Sequence, residues 1–247
     1  MEVINYLLIK EREFVSQYMN TTNMTDEEID KQFDLIVNGK RKKGKFKTQV
    51  HLQRFILGLI CGLLPFLDIV FGLIFYKHIP QSISVTYYYN FNVIMIGSLV
   101  LCSFFLFTYN GYDLGDRVFT LLAGIGSLGV AVFPTANIFN EGSRVGLFSL
   151  PDNISNIIHF IMAVLVFGSF ALMTITQFTK GKHKGRNKLY YICGAVMLLA
   201  MLLIGLSALI PFLNFEISTM VYELIMLEAF SCAWLVKSGV FFKEMKK

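Results

Sequence analysis

The stretch "FILGLICGLLPFLDIVFGLIFY", residues 55–76, runs for 22 residues with a single charge, Asp68. A helix needs about 20 mostly apolar residues to cross the hydrocarbon core of a bilayer. This segment therefore predicts a transmembrane helix, and it decides the class of the chain. Five further segments of the same character follow, at about 91–109, 118–135, 156–178, 189–210 and 219–237. Composition points the same way. Hydrophobic residues make up 55% of the chain and charged residues only 16%, and the mean hydropathy is +0.58. A soluble domain carries about a quarter charged residues. The expected fold is all-α: a polytopic six-helix transmembrane bundle, residues 55–240, behind a small N-terminal cytosolic helical segment, residues 1–54, with a cytosolic tail at 241–247.

Basic residues near the span ends set the expected orientation. Lys40, Arg41, Lys42, Lys43, Lys45, Lys47 and Arg54 precede the first span. Arg117 lies in the second connection, and Lys180, Lys182, Lys184, Arg186 and Lys188 lie in the fourth. Lys243, Lys246 and Lys247 follow the last span. The intervening connections carry Lys77, Arg144 and no basic residue. The alternation fits six spans with both termini in the cytoplasm. The first 20 residues lack a basic n-region and an unbroken apolar core, so they do not read as a signal peptide.

In the head, "TDEE" at 25–28 forms a capping box with Thr25 as cap and Glu28 three residues on. Residues 2–19 give another helix with a broad apolar face, whose expected cover is the other head helix, a neighbouring subunit or the inner membrane surface; a cytosolic regulator at the head is a further expected partner. Lys40, Arg41, Lys42, Lys43, Lys45 and Lys47 predict contact with anionic lipid, worth about 1 kcal/mol per basic residue near the surface. A juxtamembrane position accounts for that charge without nucleic acid. Small residues at Gly58 and Gly62, and at Ala123, Ser127 and Ala131 beside Gly124, Gly126 and Gly129, predict close helix packing. A homo-oligomer in contact with membrane lipids is expected.

A carboxylate in mid-membrane costs about 3 kcal/mol on insertion scales, which makes each one a functional candidate. Asp68, Glu223 and Glu228 qualify, together with His159. Glu223 and Glu228 are five residues apart, roughly 140° around a helix, and do not share a face. Asp68, His159 and Glu223 fall at similar depth beneath "SISVTYYYN", residues 82–90. That placement predicts a polar cavity roofed by Ser82, Ser84 and Tyr88, while Tyr87, Tyr88 and Tyr89 suit a membrane interface. Pro65 is expected to kink the first helix and free a carbonyl near Asp68. Ser82 or Ser84 with His159 and Asp68 would make a serine–histidine–carboxylate arrangement. Asp113, Asp116, Arg117 and Lys237 predict an inner-face polar clamp. Cys61, Cys102, Cys193 and Cys232 lie in apolar runs without metal-knuckle spacing and read as small core residues. No metal or cofactor is expected, since zinc catalysis needs three protein ligands and His159 is the single intramembrane histidine by sequence.

The stretches "SISVTYYYN", "FTYNGYDLGDR", "AGIGSLGVAVFPT" and "LEAFSCAWLVKSG" resemble a bacterial family of six-span inner-membrane proteins of unknown function. The likeness covers about residues 55–240. A looser likeness to the six-span Frag/DRAM/Sfk group rests on span count and layout. Ser82, Tyr88, Asp113, Asp116, Pro134, Glu228 and Lys237 match the family-like motifs, without roles attached. The ceramidase-like hydrolases share serine, aspartate and histidine in spans, but this chain lacks their further histidines and a seventh span. The resemblance implies a bacterial inner membrane. The leading functional expectation is a non-enzymatic oligomeric channel or membrane-perturbing effector controlled by its head. The alternatives are an intramembrane lipid hydrolase with an outward-facing polar cavity and a lipid-binding scaffold.

Overall fold

The computed structural model describes residues 43–109, 111, 113–207 and 209–240. The chain divides into a unit at 1–49 and a unit at 50–247. The head helices, the capping box, the tail, and Lys40, Arg41 and Lys42 lie outside the described residues.

Six α-helices make up the described chain: α1 (Lys43–Phe75), α2 (Val93–Phe107), α3 (Leu114–Val132), α4 (Asp152–Thr176), α5 (Lys184–Ser207) and α6 (Ser218–Lys237). Five of them are long and apolar enough to cross a membrane, the portion of α1 that qualifies being Gln49–Phe75. The exception is α2, equally apolar but 15 residues long, or ~22 Å at 1.5 Å per residue. Thr108 follows it, and its hydroxyl bonds back to the carbonyls of Phe104 and Phe105. A two-stranded hairpin, β1 (Arg144–Val145) and β2 (Leu150–Pro151), departs from the all-α expectation. It sits in the α3–α4 connection, where Gly146 takes a positive φ against Pro134.

The helices close into a ring. Neighbours in sequence pack side by side from α2 through α6. The Cys61 and Cys102 sulfurs, 3.8 Å apart, join α1 to α2. The ring shuts where α6 returns to α1, and glycine makes that seam possible: a Cβ at Gly62 would stand 2.5 Å from Ser231 Oγ, and one at Gly58 2.9 Å from Leu235 Cγ. On α3, Gly126 and Gly129 admit Val166 and Met162 of α4, while Gly124 admits Phe107 of α2. Ser103 and Ser127 bond carbonyls across the α2–α3 contact. The small residues therefore serve packing within one chain, which drives association where lipid removes the hydrophobic effect. Phe170 and Phe230, with ring centres 4.0 Å apart, and Trp234 fill the middle.

α1 continues through Pro65, which removes one backbone bond without ending the helix. Some expectations need correction. Arg54, expected as a flanking basic residue, is 1% exposed. Its Nε donates to the Tyr109 hydroxyl, and its guanidinium lies over the Tyr109 and Phe178 rings. Such an aromatic setting stabilises a cation away from water. His51 is also buried, with Nδ1 against the Ser238 carbonyl. Cys61, Cys102 and Cys193 are buried as expected, but Cys232 is exposed.

Candidate functional site

The α1–α2, α3–α4 and α5–α6 connections meet at one end of the ring. Met220 N–H donates to the Gln81 carbonyl, and Tyr88 donates to the Thr135 carbonyl. Tyr89 packs edge-on against Phe139. The α1–α2 connection carries a short 3-10 helix, Ser84–Tyr88. Ser82 accepts the Val85 N–H and so caps it. Of the three tyrosines, Tyr87 and Tyr88 are half-buried. Tyr89 is buried among Tyr76, Phe91 and His78, and burial pushes the Tyr88 phenol up to about 12.

Turned by this 3-10 helix, Ser84 reaches Glu223 of α6 and His159 of α4 at once. Its Oγ donates to Glu223 Oε1 at 3.0 Å and lies 3.0 Å from His159 Nε2. Glu223 Oε2 accepts the Ile83 N–H. His159 Nδ1 lies 2.8 Å from the Phe133 carbonyl, an acceptor only, so Nδ1 carries a proton there. Nε2 then donates to Ser84 while Ser84 donates to the carboxylate. The same heavy-atom geometry holds if that proton sits on Glu223 and Ser84 turns to donate to Nε2. The relay therefore holds one shared proton, with a hydroxyl between an acid and a base.

The relay forms the polar patch of a cavity of about 200 Å³. The remaining wall is largely apolar and comes from all six helices, including Leu64, Met95, Val130, Phe167, Met201 and Leu227. Ser82 and Thr219 also line it. The Thr219 hydroxyl forms no hydrogen bond among the described residues.

The other predicted polar residues stand outside the relay. Asp68 is 0% exposed and within electrostatic reach of Glu223. It sits beside the Thr86 hydroxyl, but that hydroxyl is turned to the Ile83 carbonyl, and both carboxyl oxygens are outside hydrogen-bonding geometry. Asp68 is thus no third member of a serine–histidine–carboxylate triad; the Phe133 carbonyl orients His159 and Glu223 supplies the carboxylate. Glu228 lies at the α1–α6 seam near Gly62, with Oε1 buried and unbonded.

At the opposite end the clamp differs from expectation. Asp113 caps α3 by accepting the Asp116 N–H, and it pairs with Lys180 rather than Lys237. The Lys180 ammonium holds the Asp113 carboxyl below its ordinary value. Lys237 donates to the Phe178 carbonyl over the Phe178 and Tyr190 rings. Asp116 is buried and Arg117 exposed. Lys43, Lys45 and Lys47 fall in the first turns of α1, and their side chains are outside the described set. Sequence reasoning missed Ile83, Phe133 and Lys180. The first two act through backbone groups, which no side-chain pattern announces.

Among the described residues no group of three or more histidine, cysteine or acidic side chains could hold a metal ion. No family model matches this chain, and no curated protein or solved structure matches it either.

Proposed function

We propose that this is a six-span intramembrane hydrolase that cleaves an acyl ester of a membrane lipid, with Ser84 as nucleophile. One observation carries the reading: the Ser84 hydroxyl lies 3.0 Å from the Glu223 carboxylate that accepts its proton and 3.0 Å from an oriented imidazole nitrogen of His159, inside a largely apolar cavity. A nucleophile, its proton partner and a group that orients the partner are the parts acyl transfer requires. An ion path is less well supported. Asp68 and Glu223 lie within electrostatic reach of each other, but Glu228 faces the α1–α6 seam, and among the described residues no hydrogen bond links Asp68 or Glu228 Oε1 to Glu223.

In the proposed reaction Ser84 Oγ attacks the ester carbonyl carbon and its proton passes to Glu223. His159 Nε2 protonates the departing alkoxide, which leaves as the alcohol. Acyl-Ser84, protonated Glu223 and neutral His159 remain. Water then attacks the acyl carbon and gives its proton to His159. Glu223 returns its proton to Ser84 Oγ, and the fatty acid is released. The Thr219 hydroxyl is the proposed donor to the tetrahedral oxyanion. On this reading α2 completes six passes despite its length, in a bilayer thinned to meet it. Both termini are cytoplasmic and the site opens to the outer leaflet of a bacterial inner membrane. Kinship with the six-span bacterial family belongs to the same proposal.

The experiment uses the full-length protein in liposomes of defined phospholipids. Mass spectrometry follows lysolipid and free fatty acid, and a fluorophosphonate probes the serine. Wild type should release both products and label at Ser84, whereas Ser84→Ala and His159→Ala should release neither. Equal product from wild type and Ser84→Ala, or no product and no label from wild type, overturns the assignment.

A further inference from the structure

The cavity does not stop at the inner faces of α4 and α5. On α4 its wall includes His159 and Ala163, which face inward, but also Phe160 and Val164. Those two are 49% and 53% exposed. They stand one turn apart, on the same stripe of the helix. On α5 the wall is formed by Met201, Ile204 and Gly205, again one stripe. Gly205 is exposed, and a Cβ built there would meet nothing within 4 Å. The wall thus includes, on both helices, residues that also belong to the outer surface of the ring, and on α5 the rim carries no side chain. Gly205 stands in the last turn of α5, but Phe160 and Val164 lie well inside α4, eight and twelve residues from its start at Asp152, so the gap leads out onto the bundle's flank.

From this we infer that the cavity opens sideways between α4 and α5, and that the opening admits one acyl chain of a bilayer lipid. The flank supports the choice of occupant. Ile161 and Leu202, next to the rim, are 60% and 56% exposed and apolar, and α4 and α5 are both long and apolar enough to cross a membrane. An opening at that position faces acyl chains rather than water. A chain entering there runs past Phe167 and Met201, with its carbonyl end toward Ser84. This inference rests on the hydrolase reading for the chain's orientation, but occupancy by an acyl chain can be measured apart from turnover.

Gly205→Phe places a bulky side chain at the rim, where a Cβ meets nothing within 4 Å, and replacing a helical glycine favours folding. The experiment reconstitutes full-length Ser84→Ala, which binds without turning over, with a phospholipid bearing a diazirine at its acyl terminus. Photolysis and peptide mapping then locate the adducts. Adducts on the cavity residues Phe167 and Met201 are expected, falling at least fivefold in Ser84→Ala/Gly205→Phe, while adducts on Ile161 and Leu202 persist. Adducts confined to Ile161 and Leu202 in Ser84→Ala overturn the inference, as do cavity adducts that Gly205→Phe leaves unchanged. The reaction fails separately: cavity adducts together with no lysolipid from wild type would leave a lipid site and remove the hydrolase.

Discussion

Removing the charge of Glu223 is the most direct perturbation of the relay. Its carboxylate accepts two hydrogen bonds, from the Ile83 N–H and the Ser84 hydroxyl. Hydrogen bonds to charged groups contribute about 1.5–3 kcal/mol each, against about 0.5–1.5 for neutral ones. In Glu223→Gln the amide oxygen keeps the Ile83 bond as a neutral one. The amide nitrogen, a donor, faces Ser84, whose proton must turn to His159. The expected loss is about 1 kcal/mol per bond, so about 2 kcal/mol in all. Glu223→Ala leaves two donors without their acceptor and opens a void, an expected loss of about 4 kcal/mol. Thermal unfolding in detergent micelles should rank wild type above Glu223→Gln, and Glu223→Gln above Glu223→Ala. A cycle with Ser84→Ala isolates the shared bond, with an expected coupling of about 1 kcal/mol. Additive effects in that cycle, or Glu223→Ala as stable as wild type, would refute the relay.

Three further expectations follow from other parts of the ring. Arg54→Met should destabilise by about 3 kcal/mol, because Tyr109 loses its donor and two rings lose their cation; unchanged unfolding would show that Arg54 contributes nothing to that end of the ring. Asp113→Asn keeps the α3 cap but removes the pair with Lys180. Since Lys180 depresses the Asp113 carboxyl, the pair stabilises above about pH 4, the unfolded value, and is lost as pH falls through the folded value. Asp113→Asn should therefore flatten the acid limb of stability slightly, and high salt should erase the difference. Tyr88 is the opposite case: burial raises its phenol to about 12, so its contribution is complete below about pH 10 and disappears as pH rises through the folded value. Tyr88→Phe should remove that alkaline limb, read as tyrosinate absorbance against unfolding.

Helix number and helix type were legible because the bilayer imposes one rule, a run of about 20 apolar residues. The six predicted segments fall on the six observed helices, with ends shifted by five residues or fewer except at the start of α1, which lies 12 residues upstream of the predicted one. Where the ends moved, local chemistry moved them. Asp113 caps α3 four residues upstream of the predicted start, and α1 extends back through the basic run to Lys43. The depth argument brought His159, Glu223 and Ser84 to one end, which their place in the sequence of spans was enough to predict. It also brought Asp68 to that end, beside Thr86 and within electrostatic reach of Glu223, but not into the relay, because depth says nothing about which way a residue faces around its helix. The burial of Arg54 was not legible because hydropathy treats a residue near a helix end as solvated, whereas two aromatic residues distant in sequence, Tyr109 and Phe178, hold this one. The orienting Phe133 carbonyl was illegible in principle, since every residue carries that group.

Closure of the ring and assembly of the site are linked, and the linkage can be tested. Glu223 reaches Ser84 only because α6 lies against α1, and that seam depends on Gly58 and Gly62. A Cβ at position 62 would stand 2.5 Å from Ser231 Oγ and 3.1 Å from Ser231 Cβ, with nothing else nearer than 3.9 Å. Gly62→Ala should therefore push α6 outward and cost about 1–3 kcal/mol, the usual range for overpacking. Because Ser231 supplies both close contacts, Ser231→Gly should relieve the strain while costing about 1 kcal/mol as a helix glycine. The double variant should match Ser231→Gly alone, not the sum of the two changes. Fluorophosphonate labelling of Ser84 should fall in Gly62→Ala and return in the double variant. Labelling unaffected by Gly62→Ala, despite measured destabilisation, would separate the seam from the site and show that Glu223 is held by its own connection rather than by the packing of its helix.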